Sequence, residues 1–120
     1  MPMALVIEDD KDTRRMFAEA LQTLNFEVLG AGSASEALQV LASRVPDVVF
    51  LDMGLPGVSG TEVLSFLKQD PQFARTRTVV ITANSEAQHK VDELGADLFL
   101  LKPVSLPEML TLVKRLMPPQ

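Results

Sequence analysis

Five short apolar runs divide the chain, and amphipathic segments separate them. The runs are rich in Val, Ile and Leu without strict alternation of polar and apolar positions, which is typical of parallel strands covered on both faces. They span residues 3–7, 26–31, 48–51, 78–82 and 98–101. We therefore expect five buried strands with helices between them.

The segments between the runs show helical periodicity and helix start signals. The first predicted helix carries five apolar residues on one face: Met16, Phe17, Ala20, Leu21 and Leu24. Four later helices are predicted by a serine followed three residues on by Glu or Gln, the pattern of a capping box: Ser33/Glu36, Ser59/Glu62, Ser85/Gln88 and Ser105/Glu108. Gly95 follows the helical stretch 86–94, where a left-handed residue often ends a helix. Strand and helix alternate five times, so the class is α/β with a parallel sheet.

Polar side chains follow four of these runs at the point where each strand ends. Glu8, Asp9 and Asp10 follow the first run, and Asp52 follows the third. Thr82 ends the fourth run, and Lys102 follows the fifth. In open α/β sheets, ligands bind beyond the carboxyl ends of the strands. We therefore expect carboxylates, a hydroxyl and an ammonium to converge at one edge of the sheet.

Crowded carboxylates at this edge call for a cation, because they repel one another and are costly to desolvate. Oxygen ligands alone suit a hard ion such as Mg²⁺. An aspartate beside that ion can act as a nucleophile toward phosphorus. Lys102, the Thr82 hydroxyl and the ion would then stabilise the phosphoryl oxygens. The pattern predicts that Asp52 is the group that reacts.

Composition narrows the possible functions. With 120 residues the chain has the length of one domain, and with no Cys and one His it offers no structural zinc site. The net charge of −5 opposes nucleic-acid binding by this domain. No apolar run approaches the length of a membrane span, and no signal-peptide pattern opens the chain. We expect a cytoplasmic protein that contacts neither membrane nor nucleic acid.

Four motifs together resemble the receiver domain of bacterial two-component response regulators. They are "VIEDD" after the first run, "FLDMGLPGVSG" around Asp52, "VVITA" at the fourth run and "LFLLKP" at the fifth. The resemblance covers essentially the whole chain, and residues 1–120 are interpreted as one receiver domain, standing alone or at the N-terminus of a longer protein. It implies a flavodoxin-like, doubly wound (βα)5 fold with strand order 2-1-3-4-5 and helices on both faces.

The resemblance also implies a role for each site residue. Glu8 and Asp9 match the acidic pair, with Asp9 the direct metal ligand. Asp52 matches the phosphoacceptor and a metal ligand, and the Gly54 carbonyl matches the backbone ligand to Mg²⁺. Thr82 matches the switch hydroxyl, Lys102 matches the family lysine and Phe99 matches the switch aromatic. The Lys102–Pro103 bond matches a peptide bond that the family holds in cis.

The function implied is that of a signalling module with no separate substrate turnover. A histidine kinase or histidine phosphotransfer protein would donate a phosphoryl group to Asp52 with Mg²⁺ bound. Thr82 and Phe99 would respond and change the face formed by the fourth helix, the fifth strand and the fifth helix. A downstream output protein or domain, of unknown identity, would read that change.

Two other functions compete with this interpretation. A Mg²⁺-dependent phosphohydrolase with an aspartate nucleophile would need a second carboxylate two residues later, where this chain has Gly54. A receiver-like scaffold that binds partners without phosphorylation usually lacks part of the acid, Asp and Lys set, which is complete here.

Some single residues also have simpler interpretations. Asp10 is favoured as a helix N-cap over a metal ligand. Arg14 and Arg15 are interpreted as a solvated helix face beside the site, where a partner could dock. Phe99 could be an ordinary core residue.

Overall fold

Five parallel strands form one sheet in the order β2-β1-β3-β4-β5 in a computed structural model, which describes residues 1–53, 60–83 and 95–117. The strands are β1 (Met3–Ile7), β2 (Glu27–Ala31), β3 (Val48–Asp52), β4 (Arg77–Thr82) and β5 (Leu98–Leu101). Each corresponds to one predicted run, with ends that differ by no more than one residue. The predicted strand order and fold class are confirmed.

The described helices lie between the strands and after β5. They are α1 (Lys11–Gln22), α2 (Ala34–Leu41), α3 (Gly60–Gln69), a short 3-10 helix (Pro71–Phe73) and the C-terminal helix (Leu106–Leu116). The fourth predicted helix, with its Ser85/Gln88 pair, and the predicted cap Ser59 lie outside the described residues. Among the helices that are described, none has the length and apolar character needed to cross a membrane.

Helices cover both faces of the sheet because alternate strand residues point to opposite sides. On one face, Leu5, Val49 and Val80 pack in a cluster with residues of α2 and α3, including the fully buried Leu64. On the other face, strand residues such as Phe50 pack with α1 and the C-terminal helix in a second cluster. The central strand β3 is buried along its whole length. It therefore ends inside the fold, which brings its last residue, Asp52, to a sheltered position.

The predicted caps at two helices are present. Ser33 Oγ accepts a hydrogen bond from the Glu36 amide at 3.1 Å, and Ser105 Oγ accepts one from the Glu108 amide at 3.4 Å. The Glu36 carboxylate does not complete a capping box, since it accepts from the Gly32 amide at 2.7 Å, one residue before the cap.

Gly95 has the predicted backbone conformation, although the helix that it is expected to end lies outside the described residues. The predicted apolar face of α1 is wider than the observed one. Gly95 has φ +82°, the left-handed conformation that its place in the sequence predicts. On α1, Phe17 and Leu21 are buried, whereas Met16 is 44% exposed because it lies at the edge of the apolar stripe. Leu24 follows the end of α1 at Gln22 and packs at the border of the core.

Candidate functional site

The carboxyl ends of β1, β3, β4 and β5 meet at one edge of the sheet. Ile7 pairs with Leu51, so Glu8 and Asp52 follow at the same level on neighbouring strands. The Glu8 amide donates to the Ala31 carbonyl at 3.0 Å and so extends the hydrogen bonding of β1 by one residue. Thr82 ends β4, and the Lys102 amide donates to its carbonyl oxygen at 2.8 Å.

Lys102 joins the two buried acids of this edge. Its Nζ lies 2.9 Å from Asp52 Oδ2 and 3.4 Å from Glu8 Oε1. Glu8 is 3% exposed and Asp52 is 6% exposed, so both carboxyl groups are largely shielded from water. One ammonium therefore faces two carboxyl groups in a region of low dielectric constant, where charge interactions are strong. The predicted convergence of the carboxyl groups and the ammonium is present.

The balance of charge in this site shifts two pKa values. Burial, then a hydrogen bond and charge repulsion from Asp52, raise the pKa of Glu8 to about 8, although Lys102 acts in the opposite direction. Burial alone would lower the pKa of Lys102, but its hydrogen bond to Asp52 and the charges of Asp52 and Glu8 outweigh burial and raise that pKa. A single lysine thus leaves the acidic site short of positive charge.

Three carboxyl groups of this site could hold a metal ion together. One oxygen each from Glu8, Asp9 and Asp52 lies within 4.8 Å of the others. The second Glu8 oxygen, Oε2, is buried and has no hydrogen-bond partner among the described residues. A buried carboxylate oxygen without a partner is costly, and a hard cation would satisfy it. The donor set therefore fits Mg²⁺; the predicted backbone ligand at Gly54 lies outside the described residues.

Asp10 stands apart from this cluster. It occupies the N-cap position of α1, as predicted. Its carboxylate accepts a hydrogen bond from the Thr13 hydroxyl, which lowers the pKa of Asp10. The interpretation of Asp10 as part of the helix start is therefore supported.

Thr82 and Phe99 lie on the neighbouring strands β4 and β5. Phe99 pairs with Val80, and Leu101 pairs with Thr82, two residues further toward the site. Thr82 is buried, at 6% exposed, while Phe99 is partly buried against the core cluster on the α2 and α3 face. The Lys102–Pro103 peptide bond is cis, as expected. The register thus places Phe99 two residues further from the acidic edge than Thr82, on the adjacent strand.

Sequence reasoning missed the contact made by Arg14. Its Nη1 donates to the backbone carbonyl oxygen of Glu8 at 2.7 Å, so the side chain turns toward the site and away from solvent. Periodicity along α1 cannot show this. The signal that could have found it is the pair Gly30 and Gly32 near the end of β2, because both positions lack a side chain where Arg14 passes.

The fold and the site together define a class of protein. It is a doubly wound α/β domain with carboxylates and a lysine at the carboxyl edge of its sheet. Residues 4–114 match the response regulator receiver domain family. The chain belongs to that family, and is a receiver domain of the response regulators found in two-component systems.

Similar proteins of known sequence include two kinds of regulator. The chain is 35% identical over 112 residues to the phosphate regulon transcriptional regulatory protein PhoB of Pseudomonas aeruginosa, covering 92% of this chain and 49% of PhoB. It is 26% identical to the polar-differentiation response regulator DivK of Brucella ovis, covering 92% of this chain and 91% of DivK. The chain therefore spans about half the length of PhoB and nearly all of DivK.

Solved structures show the same fold. The chemotaxis response regulator CheY4 of Vibrio cholerae aligns with a TM-score of 0.89 and 25% identity, over 98% of this chain and 99% of CheY4. The response regulator TrrA of Thermotoga maritima, solved in complex with Mg²⁺-BeF, aligns with a TM-score of 0.87 and 29% identity, over 98% of this chain and 100% of TrrA.

Proposed function

We propose that Asp52 accepts a phosphoryl group from a histidine kinase or histidine phosphotransfer protein, with Mg²⁺ bound at the acidic edge. The observation that carries this proposal is the position of the Asp52 carboxylate, buried at the end of β3, 2.9 Å from Lys102 Nζ and grouped with Glu8 and Asp9. The complex of TrrA with Mg²⁺-BeF supports the choice of ion, since that related receiver was solved with it.

In the proposed reaction an Asp52 oxygen attacks the phosphorus of a phosphohistidine. The new O–P bond forms while the P–N bond breaks, and the imidazole leaves with the electron pair and takes up a proton. Lys102 is close enough to Asp52 to pair with a phosphoryl oxygen after transfer, and Thr82 would donate its hydroxyl to another. Glu8, Asp9, Asp52 and the Gly54 carbonyl would hold Mg²⁺, which neutralises charge on the phosphoryl oxygens when bound.

The proposed phosphoacceptor is tested with a small phosphodonor such as acetyl phosphate. With Mg²⁺ present, intact-mass measurement should show one added phosphoryl group on the wild type and none on Asp52→Asn. The matched control is Asp47→Asn, because Asp47 stands just before the start of β3, at the opposite end of this strand from Asp52. This variant should be phosphorylated as the wild type is. Labelling that persists in Asp52→Asn would identify another acceptor and refute the proposal, as would labelling at full rate without Mg²⁺.

The proposed output is a change at Thr82 and Phe99. A phosphoryl group on Asp52 would attract the Thr82 hydroxyl, and the space vacated would admit the Phe99 ring. Burying that ring would favour the active state through about 25 cal/mol per Å² of apolar area. The fourth predicted helix, β5 and the C-terminal helix would then present an altered face to an output protein or domain.

This switch is tested by comparing Phe99 with and without a beryllofluoride phosphate mimic. Fluorine-labelled phenylalanine in NMR should report a more buried ring in the mimic-bound wild type and a reduced change in Thr82→Ala. Thr82→Ala should still be phosphorylated. The same Phe99 environment in both forms of the wild type would refute the switch while leaving the phosphoacceptor proposal intact.

We further propose that residues 1–120 act as one cytoplasmic receiver domain that turns over no separate substrate and does not itself bind nucleic acid or membrane. The near-complete alignment with DivK supports a domain that stands alone, and the half-length alignment with PhoB supports one that precedes another domain. A gel-shift measurement with duplex DNA tests the nucleic-acid part, and tight binding by this chain would contradict it.

A further inference from the structure

Arg14 is tied to the backbone that carries the acidic pair. Its Nη1 donates to the Glu8 carbonyl oxygen at 2.7 Å, and this contact is partly buried. That carbonyl belongs to the peptide group that joins Glu8 to Asp9. The Arg14 amide donates to the Asp10 carbonyl oxygen at 2.9 Å, but this is a regular helical bond of α1 that any residue here would make, so the side-chain contact is the one specific to arginine.

Two glycines make room for the Arg14 side chain. A Cβ at Gly30 would lie 3.2 Å from Arg14 Cδ, and a Cβ at Gly32 would lie 3.1 Å from Arg14 Nη1. Neither glycine has a left-handed φ, so the backbone would accept another residue at both positions. These glycines therefore leave open the path along which Arg14 reaches the Glu8 carbonyl just beyond β1.

The backbone of Glu8 is consequently held on both sides of its Cα, at the Ile7–Glu8 peptide and at the Glu8–Asp9 peptide. The Glu8 amide is bonded to Ala31 on β2, and the Glu8 carbonyl is bonded to Arg14 on α1. Fixing both groups fixes the direction in which the chain leaves β1. That direction decides where the exposed Asp9 carboxylate lies relative to the buried Glu8 and Asp52.

We propose that Arg14 is a positioning residue, which holds the Glu8–Asp9 peptide so that both carboxylates face the metal position beside Asp52. The proposal rests on the proposed function in one respect, the Mg²⁺ site. Residues that orient ligands from behind typically change metal affinity by about 10–100-fold when they are replaced. We expect an effect at the lower end, about tenfold, since Arg14 acts on the backbone and not on a carboxylate.

The sign of the effect separates positioning from simple electrostatics. A guanidinium near a cation site repels the cation, so on charge alone its removal would strengthen Mg²⁺ binding. Loss of ligand positioning would instead weaken Mg²⁺ binding. A weaker affinity after removal of a positive charge can therefore not be explained by the charge itself.

The experiment measures Mg²⁺ affinity of the 120-residue chain by isothermal titration calorimetry. Arg14→Met keeps the length of the stem but removes the donor, and should bind Mg²⁺ about tenfold more weakly. Arg15→Met is the matched control, since Arg15 is the exposed neighbour on the same helix, and it should bind Mg²⁺ as tightly as the wild type or slightly more tightly. Arg14→Lys, which retains a donor, should recover part of the loss.

Gly30→Val gives a second, charge-neutral test. It fills the space beside Arg14 Cδ and should displace the guanidinium, so that Mg²⁺ affinity falls although every charge is retained. In the presence of a chelator, the backbone amide NMR signals of Asp9 and Asp10 should shift in Arg14→Met and in Gly30→Val but not in Arg15→Met. These signals report positioning independently of metal and of phosphorylation.

The outcomes distinguish this inference from the proposed function. Unchanged or tighter Mg²⁺ binding in both Arg14→Met and Gly30→Val would overturn the inference and leave the phosphoacceptor role untouched. Absence of Mg²⁺ binding by the wild type would overturn the inference together with the proposed metal site. Intact Mg²⁺ binding with the expected loss in Arg14→Met, but no phosphorylation at Asp52, would support the inference and refute the phosphoacceptor role.

Discussion

Glu8→Gln replaces a buried carboxyl group, 3% exposed, by a neutral amide of nearly the same shape. Burial and the nearby Asp52 raise the pKa of Glu8 from 4.5 to about 8 in the folded domain without metal. Each pKa unit corresponds to about 1.4 kcal/mol, so ionised Glu8 costs the fold at most about 5 kcal/mol. Water that enters the site on ionisation relieves part of this cost, and we expect a measured effect of about 2–4 kcal/mol.

The sign of the pH dependence follows from proton linkage. Between pH 4.5 and about 8, the folded domain keeps the Glu8 proton that the unfolded chain has lost. The folded state then binds more protons than the unfolded state, so the free energy of unfolding falls as pH rises through this window. Below pH 4.5 Glu8 is neutral in both states and makes no contribution. Above about pH 8 the whole cost is present.

Urea unfolding followed by far-UV circular dichroism measures this effect, since the chain has no Trp or Tyr for intrinsic fluorescence. With a chelator present, the stability of Glu8→Gln relative to wild type should rise by about 2–4 kcal/mol between about pH 5 and about pH 9. Glu19→Gln, at an exposed position of α1, is the matched control and should keep a constant difference from wild type. A constant difference for Glu8→Gln as well would refute the reasoning. Added Mg²⁺ should remove most of the wild-type pH dependence, because it supplies the missing positive charge.

Two further predictions concern the fold that carries the site. Leu64 is fully buried on the α2 and α3 face, so Leu64→Ala should lower the free energy of unfolding by about 2–5 kcal/mol in urea, whereas Leu101→Ala, at a position 47% exposed, should cost about 1 kcal/mol or less. Equal losses would contradict the assignment of the core. Ser33→Ala removes the oxygen that accepts a hydrogen bond from the Glu36 amide and should lower the free energy of unfolding by about 0.5–2 kcal/mol. Ser33→Asp should retain most of the stability. An unchanged free energy of unfolding in Ser33→Ala would show that the cap contributes nothing.

The strands and the site are predictable from sequence because both follow from short-range patterns. Apolar runs without alternation mark strands covered on both faces, and the residues after them must lie at the carboxyl edge of a parallel sheet. The pattern of strand ends alone therefore places Asp52 and Lys102 at the same edge of the sheet, although they stand 50 positions apart in the chain. The strand order does not follow in this way, since periodicity does not say which strands are neighbours. Resemblance to the receiver family supplies it.

Other features depend on packing between elements, which a single sequence does not reveal. The run Glu8-Asp9-Asp10 looks uniform, yet Glu8 is buried and the other two are exposed. The difference arises because Glu8 still bonds to β2, whereas the chain has left the sheet by Asp9. The helix position of Arg14 is compatible with full solvation, and only its contact with the Glu8 carbonyl shows that this side chain is partly buried, whereas Arg15 is exposed as predicted.

The site is built on two parts of the sheet that differ in burial, the strands β1 and β3 and the strand β5. Asp52 ends β3, every residue of which is buried, and Glu8 continues β1, which is buried from Ala4 onward. Residues of both strands pack in both core clusters, and this packing holds the two acids in place. β5 has no fully buried residue, and Leu101 at its end is 47% exposed. Elements with less buried area open and rearrange at lower cost. The central strands therefore suit the proposed phosphoryl and metal site, while β5, which carries Phe99 and leads to Lys102, suits the part that is proposed to respond.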